Sequence, residues 1–576
     1  MGRRSRRCSR THNARPSVSG STRAARSVSF KGEAIPIMSN LLNAAARRRL
    51  MNRFVRPRTS FVASLAAGCL AAACAAAPLS ASAVEVTIGD GALSGGTDNG
   101  IAVFKAIPYA APPVGALRFA PPRPVEPWQG VRDATHDAPA CAQPATGDPA
   151  GRASENEDCL YLNVFTAALQ KPPRPVMVWI HGGGWQEGYA GASQYDPSAL
   201  IHEGNIVVVS IDYRLGPLGL MALPSLDSAD ALSGNQLIRD QVAALRWVQK
   251  NIAAFGGDPA RVTVAGESAG ANSVLALLAV PQAQGLFQRA IVQSGVDDAH
   301  VYSRPTAYAA SEKLAQDLGC PAGDQQAACL RALPVAAIIK GWRKLHLVQD
   351  PQVLPIDPYA AFAQGTFIRV PVLAGTNLHE DYLFASGQEA QLNRKLNASD
   401  YVAGLDALYD PALSKAAQTL YPIDKHGSPA AALGDAISDM RFSCYVDMAR
   451  RDLSRFTPVF GYELDQPDPP QQQPRKTWSL PNTSYHTSDL GYLFDNANGP
   501  LQGKDEALAR QMRAYWIHFV LDGNPNVSEL PHWPAFTDAH PRVLRLSTHG
   551  GISNDFAERH QCVADMDAGL VTHSWP

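Results

Sequence analysis

Ser268 stands out among the residues able to do chemistry because of its setting. It is the centre of Gly-Glu-Ser-Ala-Gly, 266 to 270, in the stretch VTVAGESAGANSVLALL, where a β-branched run gives way to an apolar, helix-prone segment. On such a strand-to-helix turn a serine hydroxyl projects at a helix N-terminus, whose amides favour developing negative charge. The pattern points to a nucleophile that attacks a carbonyl. That chemistry needs donors for the oxyanion, and His-Gly-Gly-Gly-Trp at 181–185 offers the N–H groups of Gly183 and Gly184 with no side chains in the way. The third donor expected is the N–H of Ala269, the residue after the nucleophile. Three glycines can also be merely a flexible loop, but their place directly after an early strand favours the anion-binding reading.

The partners should follow in the order serine, acid, histidine. After the strand-like VPVLAG comes TNLHEDY, which places Glu380 just beyond a strand's carboxyl end, where ligand-facing residues of such sheets lie. Asp381 is its immediate competitor. Eight histidines lie downstream, His426, His486, His518, His532, His540, His549, His560 and His573, and chain order does not choose among them.

These residues need a scaffold, and the alternation of strand-like and helical patterns from Val84 to about His300 predicts an α/β fold with a largely parallel sheet. PVMVWIHGGG, IVVVSIDYR, VTVAGESAG, AIVQSG and VPVLAGTN read as strands, and DQVAALRWVQKNIAAFGG reads as an amphipathic helix closed by glycine. Residues 311–345 and 401–455 look mostly helical, and 503–522 forms a further helix. There is no internal repeat, and the Pro- and Gln-rich stretch 465–476 is too short for an interdomain linker. One catalytic domain, 84–576, is expected.

The formal charge of −1 over 576 residues hides an asymmetry. Residues 1–83 hold 15 Lys and Arg against one acid, Glu33, which leaves 36 basic and 51 acidic residues in the remainder. A body that acidic disfavours nucleic acid or an anionic membrane as partner. Residues 51–83, from MNRFVRPR through an apolar, Ala-rich run to SASA, read as a secretion signal cleaved after Ala83. A membrane anchor, or lipidation at Cys69 or Cys74, is the alternative. Residues 1–50 form a basic, disordered-looking preface, and Met38 or Met51 is a candidate start. A secreted or periplasmic protein can hold disulfides, and six cysteines remain: Cys141, Cys159, Cys320, Cys329, Cys444 and Cys562. Neighbour pairing is the simplest of 15 connectivities and leaves Cys444 for Cys562. CxxC, HExxH, P-loop and GxGxxG motifs are absent, so neither metal nor organic cofactor is expected.

EDCLYLNVF, HGGGW, FGGDPARVTVAGESAGA, GTNLHE, YHTSDLGYLF and YWIHFVLDGNPN with WPAF occur in one order across nearly all of 84–576. Together they resemble the type-B carboxylesterase family, which includes the cholinesterases. The resemblance implies an α/β-hydrolase fold and a carboxylic ester hydrolase. It selects His486, in the family's His-x-x-acid pattern, and Glu380 over Asp381. The family's disulfides match the three pairs above. The resemblance also gives Glu267 as an acidic neighbour supporting the site electrostatically, against a solvated or hydrogen-bonded elbow carboxylate. His486 would take the Ser268 proton, Glu380 would orient the imidazole, and an acyl-enzyme would then be released by water. The substrate would be a small ester.

Departures from the family narrow the expectation. Glycine is missing after Gly-Asn-x in SGNQLIRDQ, and Asp381 stands where glycine usually follows the acid. The loop between Cys141 and Cys159 has no aromatic residue, whereas cholinesterases place a cation-binding Trp there, so poor choline-ester specificity is expected. Asp297 and Asp298 fall near the family's acyl pocket and read first as solvated surface. Other readings are a catalytically silent adhesion domain of the same fold, or an amidase or lipase. Sequons occur at Asn397, Asn482 and Asn526.

Overall fold

The computed structural model describes residues 83–145, 151–169, 172–228, 231–296, 299–340, 345–471, 479–495 and 499–572. The preface 1–50, the leader up to residue 82 with Met38, Met51, Cys69 and Cys74, the pair Asp297 and Asp298, and His573 lie outside them.

Ser268, the triple-glycine loop and Glu380 each follow the end of a strand, and His486 lies on a loop beyond one. The strands in chain order are β1 Val84–Ile88, β2 Gly91–Asp98, β3 Ile101–Pro108, β4 Val131–Asp133, β5 Tyr161–Thr166, β6 Arg174–Ile180 and β7 Val207–Ile211. They continue with β8 Gly257–Glu267, β9 Arg289–Gln293, β10 Val372–Asn377, β11 Val459–Leu464, β12 Val543–Leu546 and β13 Ile552–Ser553. They form one sheet in the order β1-β2-β3-β5-β7-β6-β8-β9-β10-β11-β12-β13, with β4 on β2. From β7 to β12 every pairing is parallel, and the N-terminal strands and β13 add antiparallel edges.

The unbroken apolar runs of β6, β7 and β8 follow from burial on both faces. Val176, Val178, Ile180, Val262 and Val264 face one layer of core. Met177, Trp179, Val208 and Ala265 face the other, where the helix Gly503–Asp522 lays Tyr515, Trp516 and Phe519 against the sheet. This alternation is the period of two of a strand. The helix Gln236–Asn251 ends in a short 3₁₀ turn, Ile252–Phe255, which Gly256 closes with a φ of 77°. β8 starts at Gly257, ahead of the β-branched run, because Gly257 pairs with Arg174 before a register shift. The helical stretch near 311–345 is broken at the Cys320–Cys329 disulfide. All three expected disulfides are present, Cys141–Cys159, Cys320–Cys329 and Cys444–Cys562. A third apolar cluster, centred on Tyr382, Tyr401, Leu405, Tyr421 and Leu433, knits helices between 382 and 437 into a cap.

Candidate active site

The elbow forms because β8 must turn at once into the helix Ala269–Ala279. Ser268 takes the turn with φ 56° and ψ −125°, a conformation that costs a non-glycine residue about 1–3 kcal/mol. The turn is closed by the Ser268 N–H donating to the Gln293 carbonyl at 2.9 Å and the Asn272 N–H donating to the Ser268 carbonyl at 2.9 Å. Its two glycines are required by close approach. A Cβ on Gly266 would lie 2.5 Å from the Gly270 backbone, and one on Gly270 would collide with the Ile180 carbonyl at the end of β6.

The triple-glycine loop lies against this elbow. A Cβ on Gly182 would stand 2.8 Å from Glu267 Oε2 and 3.1 Å from Ser268 Cβ. Gly183 and Gly184 have φ 93° and 62°. Trp185 anchors the loop on the elbow's helix, its indole N–H donating to Ser273 Oγ at 3.0 Å. Among the described residues, no protein acceptor takes the N–H of Gly183, Gly184 or Ala269.

Glu380 and His486 come together across 106 residues of chain. Glu380, fully buried, follows β10, and its Oε1 accepts the Asn377 N–H at 2.6 Å. Its Oε2 lies 2.7 Å from His486 Nδ1, and its carbonyl accepts the His486 N–H at 3.1 Å. Asp381 makes no such approach: its N–H donates to Ser438 Oγ at 2.9 Å, and burial pushes its carboxyl well up. His486 Nε2 is 3.3 Å from Oε1 of Glu267, the residue immediately before Ser268. Glu267 is 2 % exposed, so the solvated reading of this carboxylate does not hold. Burial opposes charge on the imidazole, yet Glu267, Glu380 and Asp489 outweigh it and push His486 up to about 9.

Three residues of the site were not singled out in the sequence. Phe384 and Phe442 flank the His486 ring at 5.4 and 5.2 Å. Asp489, three residues after His486, is buried and binds Gln293 Nε2 at 2.7 Å and the Tyr462 hydroxyl at 3.1 Å. The acid of the His-x-x-acid pattern was its only visible signal. Of the other expected histidines, His560 lies in a separate buried cluster and His426 is on the cap, bonded to Asp435. No group of three or more His, Cys, Asp or Glu able to hold a metal ion occurs among the described residues.

A serine on a strained elbow, backbone donors beside it, and a carboxylate-held imidazole on a mostly parallel sheet define an α/β-hydrolase built for acyl transfer. The chain belongs to the carboxylesterase family, whose sequence model it matches over residues 82–563, and it is a carboxylic ester hydrolase. It is 34% identical over 498 residues to the para-nitrobenzyl esterase of Bacillus subtilis (strain 168), covering 82% of this chain and 96% of that protein. It is 36% identical over 487 residues to a cocaine esterase of Homo sapiens, covering 78% and 84%. Among solved structures, a PNB esterase superposes with a TM-score of 0.72 at 34% identity, covering 83% of this chain and 99% of that one.

Proposed function

We propose that this carboxylesterase is exported and hydrolyses small esters through a Ser268–His486–Glu380 triad. The observation that carries the reading is that the imidazole held by Glu380 on Nδ1 brings its Nε2 to 3.3 Å from Glu267, the residue before the Ser268 elbow against which the glycine loop lies. His486 removes the Ser268 proton through Nε2 as Oγ attacks the ester carbonyl, and Glu380 stabilises the imidazolium through Nδ1. The N–H groups of Gly183, Gly184 and Ala269 take the oxyanion. The tetrahedral intermediate collapses, the alcohol leaves with the proton from His486, and an acyl-enzyme remains. Water, deprotonated by the same imidazole, then releases the acid. Glu267, 3.3 Å from Nε2, favours the imidazolium that forms during attack.

Export is supported by the basic and apolar leader 51–83 and by three disulfides. Residues 84–576 then act as one catalytic unit. The test is hydrolysis of short-acyl nitrophenyl esters by the protein starting at Val84, beside Ser268→Ala with matched circular dichroism. A fall of about 10³-fold or more in kcat is expected. Equal rates in the two proteins would refute the assignment of Ser268.

A further inference from the structure

The acid Glu380 is gripped from one side by β11 and the His486 loop: the Leu378 N–H donates to the Leu464 carbonyl at 3.0 Å, and the His379 N–H to the Ser484 carbonyl at 2.9 Å. On the other side stands the cap helix Pro429–Ile437, which runs on into the π-helical turn Ser438–Ser443. Asp435 and Ser438, three residues apart and so on one helical face, reach the two neighbours of Glu380. Asp435 Oδ1 lies 2.9 Å from His379 Nδ1, and Ser438 Oγ accepts the Asp381 N–H at 2.9 Å. Ser438 is itself fixed by donating to the Gly434 carbonyl at 2.6 Å.

Both ends of this grip are braced. The second oxygen of Asp435 is held by His426 Nδ1 at 2.7 Å, from the short helix Ile423–His426, and the His379 ring stacks on Tyr382 with centroids 4.4 Å apart and planes 22° from parallel. Burial works against charge on Asp435, but the bonds from His379 and His426 prevail and hold it down to about 2. The carboxylate is therefore ionised throughout the range in which an esterase works.

We propose that Asp435 and Ser438 form a two-point clamp from the cap helix that positions Glu380 for His486, Asp435 acting through the His379 side chain. The inference rests on the reading of Glu380 as the triad acid. The backbone of 379–381 carries the Glu380 carboxylate, and a shift of the order of 1 Å at a catalytic group can cost about 100-fold in rate. Asp435 and Ser438 are positioning residues that touch neither substrate nor reacting atoms. Their loss should act on kcat and not on substrate binding, and only while Glu380 is present to be positioned.

The test is a double-mutant cycle on nitrophenyl ester hydrolysis, with Asp435→Asn and Ser438→Ala each made in the parent and in Glu380→Gln. The clamp predicts that Asp435→Asn lowers kcat about tenfold with KM within about twofold, and changes kcat by less than about twofold in the Glu380→Gln protein. An equal loss in both backgrounds, or an unchanged kcat in the parent, would overturn it. If Asp435→Asn does not fold, Ser438→Ala and His379→Gln complete the same cycle. A Glu380→Gln protein with parental kcat would instead remove the triad reading beneath the clamp.

Discussion

Two histidines of this molecule are buried between pairs of carboxylates. His486 lies 2.7 Å from Glu380 through Nδ1 and 3.3 Å from Glu267 through Nε2. His560 lies 2.5 Å from Asp439 through Nδ1 and 2.6 Å from Glu463 through Nε2. Both hold protons tightly, the first up to about 9 and the second up to about 10, because in each case carboxylates outweigh burial. The difference is in what surrounds the ring. His560 is closed by short bonds on both nitrogens and sits beside the Cys444–Cys562 disulfide, with Cys444 Sγ 3.3 Å from its carbonyl. His486 has one short bond and one long contact, at the end of the parallel sheet next to the elbow. A histidine saturated on both sides is a structural cation, whereas one tightly bonded on a single side leaves its second nitrogen open to exchange a proton.

This contrast can be broken by exchanging effects on rate and on stability. His486→Gln should lower kcat by about 10³-fold or more with little loss of stability. His560→Gln should leave kcat per folded molecule within about twofold. It should cost about 3–5 kcal/mol in urea unfolding, because Asp439 stays buried without its cation, whereas Glu463 keeps Arg559 at 2.6 Å. Replacing Cys444 and Cys562 together with serine should cost about 2–4 kcal/mol and again spare kcat. A stability loss from His486→Gln, or a rate loss from His560→Gln, would erase the distinction.

Smaller effects sharpen it through pH. The base form of His486 grows as pH rises through about 9, so kcat/KM should climb over the alkaline range. Glu267→Gln removes the charge that most raises this imidazole, so its acid limb should move to lower pH. An unmoved limb would contradict the electrostatic role of Glu267. For His560 the folded value lies above the ordinary histidine value of about 6.5, so its stabilisation is complete below about pH 6.5 and lost as pH rises through about 10. Urea midpoints between pH 6 and 10 should therefore fall less in His560→Gln than in the parent.

Much of the fold and one side of the site were legible in the sequence for local reasons. β6 and β8 carry β-branched runs that end in glycine-rich turns, β10 is a short apolar strand, and the elbow needs only neighbours within five residues. Glu380 was visible as the acid after a strand, although its position alone left Asp381 competing with it and the family resemblance made the choice. His486 could not be chosen from eight candidates by chain order, because it arrives on a loop beyond β11 and meets Glu380 only through the folded sheet. Family resemblance supplied that choice. Phe384, Phe442 and the Asp435–His379 contact left no local signature, since each meets the site only where the cap and the sheet bring it.

Ser268 is the residue proposed to carry the acyl group. A slowly turned-over nitrophenyl ester mixed with the protein, quenched in acid and digested, allows the acylated residue to be found by peptide mass. The account predicts one acyl group per molecule on the peptide containing Ser268, released by water in the parent and absent from Ser268→Ala. An acyl group on another residue, or turnover with no acylated peptide at any quench time, would contradict it.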